Sequence, residues 1–430
     1  MPGASLLSTT AQRGRATDAL LAEGVRAGAE QREFSVYLHV PFCSVRCGYC
    51  DFNTYTATEL GQGANRSDYA GSAVAEIGLA EEAMRSAGLP QRAVSTVFVG
   101  GGTPTLLPPA DLVAMLTAIE STWGLVPGAE VTTEANPDSV TAADLHELAA
   151  AGFTRVSFGM QSAVPHVLAT LDRTHDPERV PQVVAWARQA GLQVSLDLIY
   201  GTPGESLADW ETSLRSTVAM APDHISAYAL VVEPGTKMGA RVRRGLLPMP
   251  ADDDEADKYE LAAGMLEAAG YGWYEISNFA RDESRRCRHN IAYWRSQDWW
   301  GVGPGAHSHL GGQRWWNVKH PRPYAALLAD GLLPVDGVEV LEPAQRADEE
   351  ILLGVRLADG LEVVPGKRDR LPALVAGGLI EAEAAADGVV LLTLRGRLLA
   401  DTVVRALVES VFSAAMSLYP ASKKTCIGSS

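Results

Sequence analysis

Between Val36 and Val232, short runs of β-branched and apolar residues alternate with Ala- and Leu-rich stretches of helical length. A strand, a crossover helix and a second parallel strand form one βαβ unit, and repetition of that unit specifies a parallel sheet covered by helices. The strand-like runs are Val36–Val40, Thr96–Val99, Glu130–Thr133, Arg155–Phe158, Val194–Ile199 and His224–Leu230. Six such units fall short of the eight of a closed barrel. The fold class expected is therefore α/β, a partial (β/α)6 TIM-type barrel. Polar and glycine residues stand just past several strands, in Gly100-Gly101-Gly102-Thr103, Glu134-Ala135-Asn136, Gln161-Ser162 and Tyr200-Gly201. In β/α barrels the C-terminal strand ends form the active face, so these groups are expected to converge there.

At 430 residues the chain exceeds one small domain and suits a barrel with an appended domain. We divide it into a polar lead-in over 1–33, the partial barrel over 34–250, an aromatic-rich region over 251–335 that completes the barrel, and a smaller, mainly helical domain over 336–412. The last of these reads as helices followed by a small β-ribbon, in the manner of a winged helix. Residues 413–430, polar and small with a lone Cys426, are expected to form a disordered tail.

The formal charge of −16 repels phosphate backbones, which argues against nucleic acid as a partner. Glu381, Glu383 and Asp387 beside the expected ribbon argue against a DNA-reading wing for the same reason. Five cysteines, three of them within 43–50, do not resemble a secreted disulfide framework. The opening residues, interrupted by Arg13, Arg15, Glu23, Arg26 and Glu30, lack a signal-peptide core, and no run reaches membrane-spanning length. A cytoplasmic protein is expected, with at most transient contact with membrane proteins.

Cys43-x-x-x-Cys47-x-x-Cys50 directly follows the first strand, with Pro41 and Gly48 suited to an irregular loop. Three thiolates on a cubane of four irons leave one iron open to a small molecule. A zinc knuckle or unligated core cysteines are the alternatives; zinc usually takes a fourth Cys or His, and His39 lies back in the strand.

The string Tyr37-Leu-His-Val-Pro-Phe-Cys43-Ser-Val-Arg-Cys47-Gly-Tyr-Cys50-Asp-Phe-Asn53 resembles the cluster loop of radical S-adenosylmethionine (SAM) proteins. More narrowly, it is similar to the group of anaerobic coproporphyrinogen III oxidases and their HemW-type haem chaperone relatives. The resemblance runs from about Val36 to beyond Leu394. It implies a [4Fe-4S] cluster on Cys43, Cys47 and Cys50 and a SAM site using Tyr37, Gly101, Gly102, Thr103, Glu134, Gln161, Arg173 and Asp197. Gly101 and Gly102 suit the close approach of a ligand amino group. A carboxylate and an arginine can hold a zwitterionic ligand from opposite ends.

The oxidases of this group carry another cysteine two positions after the third ligand, where this chain has Phe52. His289-Asn290-Ile-Ala-Tyr293-Trp294 matches the His-Asn-x-x-Tyr-Trp motif of the chaperone branch. Both features point to a haem-binding chaperone that passes haem to an acceptor protein, with oxidative decarboxylation of coproporphyrinogen III as the alternative. An imidazole from His289 can ligate haem iron, and Tyr293 and Trp294 can flank a macrocycle. Arg285, Arg286 and Arg288 offer partners for propionates. Cys287 and His307 are weaker ligand candidates, while Trp299 and Trp300 read as packing between domains. An electron donor is implied only if SAM is cleaved.

Overall fold

The computed structural model describes residues 14–60 and 65–408. The expected tail over 413–430, Cys426 and the first part of the lead-in lie outside the described residues. All six expected strands form: β1 (Phe34–Val40), β2 (Val94–Gly101), β3 (Leu125–Ala135), β4 (Arg155–Gln161), β5 (Gln193–Tyr200) and β6 (His224–Ala229). The aromatic-rich stretch resolves into β7 (Gly272–Glu275), β8 (Asn278–Ala280), a short helix Arg288–Trp294, β9 (Asp298–Val302), β10 (His307–Leu310) and β11 (Gln313–Asn317). A twelfth strand, β12 (Val335–Val340), follows.

The described residues form two compact units, one of residues 14–44, 53–60, 65–130 and 297–342, the other of 45–52, 131–296 and 343–408. In the first, β1 pairs in parallel with β2 on one side and β9 on the other. β10, β11 and β12 extend the sheet antiparallel beyond β9. Six of the seven residues of β1 are buried, as expected for a parallel strand flanked at both edges and covered on both faces. Helices Tyr69–Ser86 and Pro109–Trp123 supply cover, the first through Ala73, Ile77, Ala80 and Ala83 and the second through Met115, Leu116 and Ile119.

Two buried carboxylates organise this unit. Asp298, fully buried, accepts from Arg32 Nε at 2.8 Å, Arg92 Nη1 at 2.7 Å and the Gly311 amide at 2.9 Å. Glu76 accepts from the Tyr324 hydroxyl at 2.6 Å, Asn317 Nδ2 at 2.7 Å and the Gly303 amide at 2.8 Å. Burial pushes the Glu76 carboxyl up to about 7, against the pull of those donors. The described part of the lead-in is also docked here. Gln313 accepts from the Ala22 amide and donates to the Leu20 carbonyl, both at 2.8 Å, while Leu20, Val25 and Ala29 are buried.

In the second unit β3, β4, β5 and β6 pair in parallel, and β8 and then β7 add antiparallel. The covering helices start where the sequence supplies caps: Thr141 with Asp144, and Ser206 with Asp209, form reciprocal capping boxes. The C-terminal region is mainly helical around a core of Val355, Leu371, Leu374, Val390, Val403 and Leu407. Its ribbon differs from expectation. β13 (Leu361–Glu362) and β14 (Val389–Val390) pair over two residues each, and helices Leu394–Leu398 and Ala400–Leu407 follow the ribbon rather than precede it. Leu394 belongs to a helix because Thr393 caps it through the Gly396 amide.

The Asp298 clasp yields a direct prediction. Asp298→Ala leaves two largely buried guanidiniums without their anion, so urea denaturation is expected to show a loss of about 3 kcal/mol or more. A loss under about 0.5 kcal/mol, the level of an ordinary surface change, would contradict the role given to Asp298.

Candidate cluster and cofactor site

The cysteine loop begins where β1 ends. Past Val40 the backbone is held by Tyr55, whose amide donates to Pro41 O at 2.7 Å and whose carbonyl accepts from the Cys43 amide at 3.1 Å. The turn after β2 packs on the same segment: the Gly102 amide donates to Val40 O at 2.8 Å and the Thr103 amide to Phe42 O at 2.7 Å. A Cβ on Gly102 would collide with the Phe42 carbonyl and stand 3.0 Å from Cys43 Sγ. Gly101, at φ +114, would drive a Cβ to 2.7 Å from the His39 ring. Glycine at both positions is therefore dictated by the close passage of the loop beside β2.

Cys43 lies in the first unit and Cys47 and Cys50 in the second. None of the three is in a disulfide, and each is of intermediate exposure. The Cys47–Gly48 turn is gripped by backbone bonds from the Gly48 amide to Leu171 O at 3.1 Å and from the Met238 amide to Gly48 O at 2.7 Å. Arg173 donates from Nη1 to Cys47 Sγ at 3.6 Å and from Nη2 to Gly159 O at 2.6 Å. Burial pushes the neighbouring Tyr49 hydroxyl well above its ordinary range, and the Cys47 thiol adds to the effect. Among the described residues no three His, Cys, Asp or Glu side chains converge on one ion position. A [4Fe-4S] cluster takes each cysteine on a different iron, so its three sulfurs need not meet at a point. Three accessible thiols on one loop, a glycine clearing space at Cys43 and a guanidinium at Cys47 suit such a cluster.

The remaining expected SAM residues fall into groups. In the first unit Tyr37 stacks on Phe98 with centroids 6.4 Å apart, and its hydroxyl meets His39 Nδ1 at 2.9 Å. His39 Nε2 meets the carbonyl of Asn53 at 3.0 Å, and burial lowers the His39 pKa, favouring the neutral ring. In the second unit Glu134 lies on β3 opposite Ser157 of β4. Gln161 ends β4 in a left-handed conformation, φ +61, with its Nε2 and Arg173 Nη2 closing over Gly159. Asp197 lies on β5 opposite Gly159 and Ser226. Ser157 donates to its Oδ2 at 2.8 Å, while Oδ1 and the Ser226 hydroxyl are buried without a hydrogen bond of good geometry. Burial raises the Asp197 pKa to about 7, against the lowering effect of Ser157, Ser226 and Arg173. Gln161, Arg173 and Asp197 are thus brought together around Gly159. Sequence reasoning passed over Gly159, although a glycine inside a strand signals close approach.

The His-Asn-x-x-Tyr-Trp motif occupies helix Arg288–Trp294 of the second unit. His289 is only 1% exposed, and its Nε2 meets the Tyr293 hydroxyl at 2.9 Å. Asn290 is buried and donates to Glu275 Oε1 at 3.0 Å. Glu275, which the sequence did not single out, is pushed up to about 7 by burial. Tyr293 and Trp294 are half-buried. Arg285 pairs with Asp223 at 3.5 Å, Arg286 pairs with Asp359 at 3.0 Å, and Arg288 is exposed. Cys287 is buried. Trp299 and Trp300 pack inside the first unit, on His309 and Trp315 respectively. His307, exposed, stacks on Trp316.

Residues 37–216 match the model of the radical SAM superfamily. The chain is 50% identical over 378 residues to the heme chaperone HemW of Mycobacterium tuberculosis (strain H37Rv), covering 87% of this chain and 94% of the relative. It is 34% identical over 331 residues to the heme chaperone HemW of Bacillus subtilis, covering 76% and 84%. The solved structure of the coproporphyrinogen III oxidase HemN of Escherichia coli superposes with a TM-score of 0.76 at 22% identity, over 90% of this chain and 93% of that one. That likeness shows the fold, a radical SAM TIM-like barrel with a helical C-terminal domain. Sequence identity of this depth across nearly the whole of its relatives makes the chain a member of the HemW heme chaperone family within the radical SAM superfamily.

Proposed function

We propose that this chain is a haem chaperone: it binds haem and delivers it to an acceptor protein while keeping a [4Fe-4S] cluster and a SAM site. The observation that carries the reading is the pairing of Phe52, where the oxidases have a further cysteine, with a formed His289–Trp294 motif. When bound, the cluster and SAM would supply the reductive radical chemistry of the radical SAM superfamily. In this chain Cys43, Cys47 and Cys50 are the cluster ligands we assign. Gly101, Gly102 and Thr103 give the backbone a close approach to the ligand, while Glu134, Gln161, Arg173 and Asp197 meet its charged and polar groups. Tyr37 steadies His39 and, through the Asn53 carbonyl, the far end of the cysteine loop.

No helix among the described residues is long and apolar enough to cross a membrane, in keeping with the cytoplasmic residence we propose. An electron donor enters only where SAM is cleaved, and contact with membrane-bound acceptors would be transient.

His289 is the haem ligand we assign, and its bond to Tyr293 makes that assignment specific. For Nε2 to ligate iron, the Tyr293 hydroxyl would have to release it. Visible-spectrum haem titration of the anaerobically reconstituted chain should show stoichiometric binding that His289→Ala weakens, with no decarboxylation of coproporphyrinogen III when SAM and reductant are supplied. Tyr293→Phe removes the competing hydrogen bond, worth about 0.5–1.5 kcal/mol, and should tighten haem binding roughly two- to tenfold. SAM cleavage with decarboxylated product and no haem binding would favour the oxidase instead.

Asp197 generates a pH prediction. Its carboxyl is neutral below about 7 and ionised above. A sulfonium-bearing ligand prefers the ionised form, so SAM affinity measured by equilibrium dialysis should fall as pH drops below 7, by up to about tenfold per unit. Asp197→Asn should flatten that profile, and an unchanged profile would remove Asp197 from the SAM site.

A further inference from the structure

Successive residues of a strand point to opposite faces, yet Tyr274 and its neighbour Glu275 both reach the same short helix. The cause is a bulge in β7: Trp273 pairs with Phe279 and Glu275 with Asn278, and the register shifts between them. Bulges of this kind re-aim side chains. The Tyr274 hydroxyl accepts from the Cys287 amide at 3.3 Å, at the N-cap of helix Arg288–Trp294, and meets His224 Nε2 at 2.7 Å. His224 Nδ1 in turn meets the Ser195 hydroxyl of β5 at 2.8 Å. Glu275 Oε1 accepts from Asn290 Nδ2 at 3.0 Å and also from Asn278. Tyr274, Glu275, Asn278 and Asn290 are all at most 2% exposed.

We propose that Tyr274 and Glu275 are positioning residues that clamp the His289 helix from two sides, and that Asn290 receives this clamp rather than touching haem. The inference rests on the haem-binding reading. Were Asn290 to turn toward a ligand, it would take a hydrogen bond from the buried Glu275 carboxyl, a costly exchange. A helix of this length has little stability of its own, so the direction of the His289 ring depends on these two attachments.

The test is a double-mutant cycle on the full-length, cluster-reconstituted chain, read by haem affinity and by the position of the Soret band. Measured at a pH well above the raised Glu275 pKa of about 7, Asn290→Asp sets a second carboxylate against Glu275 and should weaken haem binding about tenfold, within the range of buried coupled pairs, and shift the band. Adding Glu275→Gln restores a donor to that carboxylate and should return both readouts to near wild type. Tyr274→Phe, a milder change, should weaken binding a few-fold and keeps the clamp testable if Asn290→Asp does not fold. If wild type binds haem and Glu275→Gln fails to rescue Asn290→Asp, Asn290 contacts haem and the clamp is overturned. If wild type binds no haem, the chaperone reading itself fails.

Discussion

β1 is a strand with no free edge and almost no free face. β2 and β9 pair with it in parallel on either side, and six of its seven residues are buried. Such a strand cannot shift register without moving its neighbours, so the point at which it ends is fixed. The chain leaves it at Val40, and carbonyls at and just past that point accept from Gly102 and Thr103 at the end of β2. The position of Cys43 is thereby set by the pairing of two strands rather than by the loop's own preferences. The absence of a side chain at Gly101 and Gly102 follows from the same close passage.

The strands were legible because a parallel strand buried on both faces is rich in β-branched and apolar residues, and all six runs became strands. The cysteine constellation was legible from its spacing. The rest depends on partners remote in sequence. Nothing near Arg32 or Leu20 announces that Asp298 and Gln313 will hold them. The bond from Arg173 to Cys47 joins residues 126 apart. The aromatic-rich region resisted reading because its strands are short and broken by a bulge and a short helix, which leaves no sustained period.

The interior of the second unit holds carboxyl groups that burial has raised toward neutrality, Asp197 and Glu275 among them. Each belongs to a different part of the proposed machinery. Asp197 lies on β5 beside Arg173 and Gly159, while Glu275 supports the helix that carries His289. Burying such groups costs stability, and their hydrogen-bond partners offset part of that cost. Asn290, one of the donors to Glu275, is itself held in place by that bond, so the polar interior serves geometry as well as stability.

We propose that Cys43, Cys47 and Cys50 hold a [4Fe-4S] cluster with one iron open to SAM. Electron paramagnetic resonance of the anaerobically reconstituted, reduced chain, recorded with and without SAM alongside iron analysis, tests it most directly. The expected result is about four irons per chain, a signal whose g-values shift when SAM is added, and loss of that signal in Cys47→Ala. A single tightly held zinc, or a cluster signal indifferent to SAM, would contradict it.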